Sequence, residues 1–255
     1  MAEKMFYARI DNSGEFRRIF DVVKDIVPLV NLNLSENGIF FNAYEALTVL
    51  QVKLHIPASY FSEYKCPFRT SIGISLNDFY LLTKVASYDD NLILTYTENS
   101  TVLSLSLQAK IPKICNFSLN LITVSHIDCI YVEVNECGKL EISSKLLYQT
   151  CSDLVQVSEF LSINLNKSRV KFSIISDLAG GSINMKHVKG DSNIQINTLK
   201  TFNSQINLMY AKRITKAYIL SDKVEVKMYN DEPVVFCYCF SGVELKFYLA
   251  PAIFN

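Results

Sequence analysis

The chain has 255 residues, enough for one large domain or for two of roughly 120 residues that each bury a core. Hydrophobic residues make up 49% and charged ones 20%, with 8 Gly and 6 Pro, which excludes collagen-like, low-complexity and tail-like disordered chains. Lys plus Arg and Asp plus Glu number 25 each, so a polyanion must be held by local placement of charge, because net attraction is absent.

Taken in chain order, the opening Met1-Ala2-Glu3-Lys4-Met5 mixes charges and lacks the apolar segment of a secretory signal. Gly14 to Ile26 then places Phe16, Ile19, Phe20 and Val23 at i, i+3, i+4 and i+7. That stripe predicts an amphipathic helix whose other side carries Arg17, Arg18 and Lys24. Alternating segments follow at Leu32–Ser35, Gly38–Phe41 and Val49–Leu54, the period of half-buried strands. A second helical pattern spans Leu76 to Ala86, with Phe79, Leu82 and Val85 apolar and Lys84 polar. A third runs from Ser144 to Val155, with Ser143 or Ser144 as cap and Leu147, Cys151 and Leu154 as stripe. Its Lys145, Gln149 and Ser152 face away. Alternation returns at Leu161–Leu165, Val170–Ile174 and Ser182–Met185, and Ala179-Gly180-Gly181-Ser182 reads as a turn. A fourth helix is predicted over Asn207 to Ala217, with Leu208, Ala211 and Thr215 on one side and Lys212, Arg213 and Lys216 toward the other. Between Val235 and Phe240, the alternation sets Cys237 and Cys239 on one strand face and Tyr238 on the other, a core-packing pattern.

The helix starts near 14, 77, 144 and 207 recur about every 60 to 70 residues. Leu32-Asn33-Leu34-Ser35-Glu36-Asn37-Gly38-Ile39-Phe40 and Ile163-Asn164-Leu165-Asn166-Lys167-Ser168-Arg169-Val170-Lys171 share a strand-turn-strand outline. Duplication is the economical reading. The expected fold class is α+β: two similar domains of antiparallel sheets with two short helices each. A single basic helix face is ordinarily solvated surface. Its recurrence in equivalent helices points instead to a polyanion.

Motifs for catalysis and cofactors do not emerge. The Gly-Gly pair lacks the Lys-Ser/Thr of a phosphate-binding loop. His55, His126 and His187 lie far apart, with no partner at metal-ligand spacing. Apolar runs such as Ile26-Val27-Pro28-Leu29-Val30 stop short of the roughly 20 residues a membrane span requires. Seven cysteines at irregular spacing read as reduced thiols, so a cytosolic or nuclear home is expected.

Leu245-Lys246-Phe247-Tyr248-Leu249-Ala250-Pro251 resembles the near-terminal signature of the proliferating cell nuclear antigen family, the eukaryotic DNA sliding clamps. It is joined in order by Met5-Phe6-Tyr7-Ala8-Arg9, Val22-Val23-Lys24-Asp25-Ile26, Ser62-Glu63-Tyr64-Lys65-Cys66 and Asp231-Glu232-Pro233-Val234-Val235. The resemblance implies a non-catalytic nuclear clamp without cofactor: a homotrimeric ring whose helices line a hole around duplex DNA. It implies domains at 1–120 and 136–255 joined by a linker at 121–135. Ring closure would be head to tail, the edge near Lys113 to Leu119 pairing with that near Ala179 to Lys186 of the next copy. The DNA-facing positions carried over are Arg17, Arg18, Lys24, Lys84, Lys145 and Lys216, with Lys212 and Arg213 added by proximity. In the third helix the family's arginines are replaced by Gln149 and Ser152. A partner-peptide pocket is implied at Tyr44, Val49, Cys129, Tyr131, Pro233, Tyr248, Ala250, Pro251 and Ile253. The partners it implies are a DNA polymerase, a flap nuclease, a ligase and a separate clamp loader. The linker lacks the family's Gly-Ile-Pro run, and Thr48 stands where the family has a histidine. Two alternatives stay open: one subunit of a heterotrimeric checkpoint-type clamp, and a β-rich enzyme.

Overall fold

In a computed structural model, residues 5–109, 113–125, 138–177, 179–187, 193–198, 200–229 and 232–252 are described. The chain packs as two units. Met1–Ala46, Val52–Cys129 and Phe240–Leu245 make the first, and Leu47–Gln51, Ile130–Cys239 and Lys246–Asn255 the second.

The first half of the chain runs β1 (Met5–Ile10), α1 (Ser13–Val23), β2 (Leu29–Ser35), β3 (Gly38–Tyr44), β4 (Leu50–Pro57), β5 (Glu63–Lys65), β6 (Thr70–Ser75), α2 (Leu76–Thr83), β7 (Asn91–Thr97), β8 (Val102–Gln108) and β9 (Ile114–Asn120). Its strands lie in the orders β5-β1-β7-β8-β9 and β4-β3-β2-β6, with antiparallel registers such as Ala8 opposite Leu94 and Leu32 opposite Ile72. Strand side chains alternate in and out, so each sheet buries one face. Against it the helices set Phe16, Phe20 and Phe79, with ring centroids 4.9 Å apart for Phe16–Phe20 and 4.7 Å for Phe20–Phe79. Such tilted and edge-on pairs add about 0.5–1.5 kcal/mol each beyond burial.

The second half repeats the plan: β10 (Gly138–Ser143), α3 (Ser144–Leu154), β11 (Phe160–Leu165), β12 (Arg169–Ile175), β13 (Gly180–Lys186), β14 (Ile194–Asn197), β15 (Phe202–Asn207), α4 (Leu208–Thr215), β16 (Lys223–Met228), β17 (Val234–Phe240) and β18 (Val243–Leu249). Its orders, β14-β10-β16-β17-β18 and β13-β12-β11-β15, reproduce the first set with every strand advanced by nine. Helix starts repeat too. The Ser13 N–H donates to the Asp90 carbonyl and that of Ser144 to Asp222; the Leu76 N–H donates to Pro28 and that of Leu208 to Glu159. These bonds satisfy amides that the first helical turn leaves without partners.

The structure departs from the sequence expectations in detail. Helix α1 ends at Val23 rather than Ile26, and α2 at Thr83 rather than Ala86. Val85 is therefore 50% exposed instead of joining the stripe, and Leu76 and Thr83 are buried there beside Phe79. In α3 Thr150 is buried with Leu147 and Cys151, while Leu154 at the last turn is half-buried. The fourth helix tightens to a 3₁₀ turn over Lys216–Ile219. The Gly180-Gly181 pair lies within β13; the turn precedes it, where the Ser176 N–H donates to Ala179 O at 2.8 Å. In β17, Val234 to Tyr238 are all buried and alternation fails, because both faces are covered. Cys237 is buried and Cys239, near the strand end, is exposed.

Candidate nucleic-acid interface and peptide groove

All four helices leave a strand through a polar cap. The side chains of Asn12, Ser75, Ser143 and Asn207 accept from Glu15, Asp78, Leu146, and Met209 with Tyr210. Each cap fixes the rotation of its helix, so the apolar stripe turns inward and the basic residues outward.

The predicted cations differ in what surrounds them. Arg18 is exposed, with its guanidinium carbon 4.9 Å from the Tyr88 ring centroid. Arg17 is half-buried, and its Nη1 donates to the Ala86 carbonyl at 2.9 Å, closing the turn after α2. Lys24 has a side chain only 14% exposed, with Nζ 2.9 Å from Asp25 and 3.3 Å from Asp21, over the Tyr80 ring at 4.8 Å. Burial pulls the Lys24 pKa down, but the hydrogen bonds to Asp25 and Asp21 and their charges outweigh it, so the net shift is upward. Its charge is already matched by Asp21 in the last turn of α1 and by Asp25 just beyond it. Lys84, Lys145 and Arg213 are exposed, and Lys212 and Lys216 are half-buried. Arg213 sits one turn after Tyr210, 5.9 Å from its ring. In α3, Gln149 is exposed and the Ser152 hydroxyl is buried without a hydrogen-bond partner. Lys145 is thus the basic residue that α3 presents to solvent. The rings of Tyr80, Tyr88 and Tyr210 were not singled out by the sequence reading; only the i, i+3 spacing of Tyr210 and Arg213 signals one of them.

Of the predicted peptide-binding residues, Tyr44 ends β3 in the first unit and is half-buried. In the second unit, the Val49 carbonyl accepts from the Ala250 N–H at 2.9 Å, and the Ala252 N–H donates to Gln205 at 2.7 Å. These bonds seat the segment after β18. Tyr248 is 4% exposed, in a cluster with Tyr229, Val235 and Cys237, and Pro233 is buried. Ala250 and Pro251 are half-buried, and Pro251 and Ala252 border a groove of about 560 Å³ that Ser162, Asn164, Ser173 and Gln205 also line. Cys129, Tyr131 and Ile253 lie outside the described residues. The sequence reading passed over Leu47, 71% exposed beside Thr48, whose φ is +59°. The one available signal is an apolar residue in a short polar turn.

Residues 121–125, the described start of the segment expected as a linker, are held in the first unit. Gly73 takes the Ile122 N–H on its carbonyl at 2.9 Å, and the Asn31 amide donates to Val124 O at 3.1 Å. A Cβ at Gly73 would stand 2.0 Å from the Ile122 oxygen, so only glycine admits this strand-like approach.

Two antiparallel layers with two short capped helices, repeated within one chain and carrying basic residues on outward helix faces, define the class: a DNA sliding clamp. The family models for the N-terminal and C-terminal domains of proliferating cell nuclear antigen match residues 5–129 and 135–253, and the chain belongs to that family. It is similar to proliferating cell nuclear antigen of Chaetomium thermophilum, 26% identical across 98% of both chains. It also resembles that of Saccharomyces cerevisiae, 27% identical over 97% of this chain and 98% of the other. That of Dictyostelium discoideum is 28% identical over 98% and 100%. The crystal structure of the Entamoeba histolytica protein shares the fold, with a TM-score of 0.90 at 21% identity over 97% and 99% of the two chains. The protein is a DNA sliding clamp and polymerase processivity factor, of a non-enzymatic family that encircles DNA and binds replication and repair proteins. Among the described residues no helix is long and apolar enough to cross a membrane.

Proposed function

We propose that three copies of this chain close head to tail into a ring, β9 of each pairing with β13 of the next. The observation that carries this is a pair of open edges: β9 ends the order β5-β1-β7-β8-β9, and β13 ends the order β13-β12-β11-β15. Both strands are seven residues long, and an exposed edge of that length invites a partner strand. Ile114 on β9 is 65% exposed and Ile175, just before the turn into β13, is 84% exposed, apolar surface that such pairing would cover.

Within that ring the outward cations of α1 to α4 contact phosphates without reading bases, which permits sliding. Arg18, Lys84, Lys145, Lys212, Arg213 and Lys216 carry this contact in our reading, with Arg17 and Lys24 contributing less because they are engaged within their own unit. The domains span 1–120 and 136–255 with a linker at 121–135. The groove beside Pro251 and Ala252, in the unit that also holds Val49, takes the helical-turn peptides of a DNA polymerase, a flap nuclease, a ligase and a clamp loader. The chain acts in the nucleus and has no catalytic role of its own.

The deciding experiment is the absolute mass by light scattering after size exclusion, over a dilution series. Three chains per particle is the expected result. A monomer at every concentration overturns the homotrimer and leaves a subunit of a mixed ring, a reading that the single exposed cation of α3 would then favour.

A further inference from the structure

The hairpin joining β11 to β12, the end of β13 and the start of β15 enclose a concavity of about 540 Å³ in the second unit, lined by Asn166, Lys167, Arg169, Lys186, Lys200 and Thr201 together with Ser168. Among the described residues no carboxylate lines it. Arg169 stands directly opposite Lys186 across the β12–β13 ladder, on the face away from buried Val170 and Phe172. Like charges opposed in this way destabilise a sheet, so the fold maintains a repulsion that an anion would relieve. Asn166 Oδ1 already accepts from the Ser168 N–H, the Ser168 hydroxyl and the Arg169 N–H. This leaves the Asn166 amide as a donor beside the cations.

We propose that this concavity is a docking site for an acidic peptide segment of a partner protein. It is separate from the helix cations. Leu165 faces Phe202 at this end of the β11–β15 ladder, whereas α4 leaves from the other end, where Phe160 faces Asn207. Five residue steps of strand put about 17 Å between the two ends. Among the described residues the lining has no aromatic side chain, the platform on which single-stranded nucleic acid stacks, and this favours carboxylates over bases. In the ring proposed above, on which this point rests, the strand laid beside β13 is Ile114–Asn120, which also has no carboxylate to neutralise the cluster.

The test is fluorescence anisotropy of a labelled oligoglutamate peptide on the full chain, at low and at raised salt. Lys186→Glu should raise the melting temperature while weakening the peptide at least about ten-fold at low salt, because exposed Lys186 would become a carboxylate set against the acidic peptide, a like-charge contact. Lys167→Glu, on the exposed hairpin, provides a second variant with the same expected loss, and Arg18→Glu should leave the peptide affinity unchanged. The proposal is overturned if both cluster variants bind within about two-fold of the wild type, since charge contacts in a real site shift affinity more. It is equally overturned if Arg18→Glu weakens the peptide as much, or if oligothymidylate binds more tightly than oligoglutamate with the same dependence on Lys186. The light-scattering mass of each sample separates this from failure of the ring: a monomer that still loses the peptide on Lys167→Glu keeps the site and loses the trimer.

Discussion

Arg18 lies within α1 and Lys24 caps its end, yet their surroundings give them different work. Arg18 is exposed over an aromatic ring, while Lys24 is tied to Asp21 and Asp25. Removing Arg18, Lys84 or Arg213 is therefore expected to lower the salt slope of duplex binding by about 1 each. Lys24→Ala should leave it nearly unchanged, and titrations of labelled duplex against salt measure both. Arg17→Ala is expected to act on stability instead, by about 1 kcal/mol, because the Ala86 carbonyl loses its donor; a thermal or urea melt checks it. Cys151 offers a pH test. Burial, only partly offset by a hydrogen bond with Thr215, pushes its thiol up to about 12. The folded chain thus holds that proton more tightly than the unfolded one, whose thiol titrates near about 8.5. This contribution is complete below that pH and is lost progressively as pH rises toward about 12. Iodoacetamide followed by mass mapping should label exposed Cys239 well before Cys151.

At the scale of the element, helix starts are set by caps and strand edges by register. Asn207 accepts from two amides at the start of α4, so Asn207→Ala is expected to cost about 1 kcal/mol, measured by denaturant unfolding. Such a loss should loosen Lys212 and Arg213 as well, because the cap orients the turn that carries them. Gly73 shows the same logic in a strand. Gly73→Ala forces the Ile122 carbonyl away and should destabilise the chain by about 1–3 kcal/mol, as overpacking does. Hydrogen exchange at Ile122 is expected to rise with it. Of the four caps one was legible in the sequence, Ser143 or Ser144 ahead of the third stripe, while Asn207 is read there as the first helical residue and Asn12 and Ser75 carry no such reading. The Gly73 approach was not legible, because residues 73 and 122 are joined only by the folded backbone.

For the whole molecule, the duplication carries the most weight. An edge variant such as Ile114→Asp changes a residue already 65% exposed, so the fold of each chain should survive, with a stability change within about 0.5 kcal/mol. In our reading the particle mass should nevertheless fall from three chains to one, because a charge would be buried between β9 and β13. Unchanged mass would remove this edge from the ring contact.

Periodicity in the sequence determined four amphipathic helices in two matching halves, the strands after α1 and α3, and the outward place of Arg18, Lys84, Lys145 and Arg213, though not the exposure of Val85 or the buried hydroxyl of Ser152. Such features arise from local geometry, since a helix repeats every 3.6 residues and a strand every two. Helix ends, the fully buried run Val234 to Tyr238 and the placement of Gly180 and Gly181 in a strand were decided by what packs against them. The same holds for the cations. The sequence supplies Arg17, Lys24 and Arg18 alike, but only the folded chain brings Ala86 to Arg17 and Tyr80 to Lys24. The opposition of Arg169 and Lys186 is likewise invisible in the sequence, because two positively charged residues become neighbours only through the register of β12 on β13.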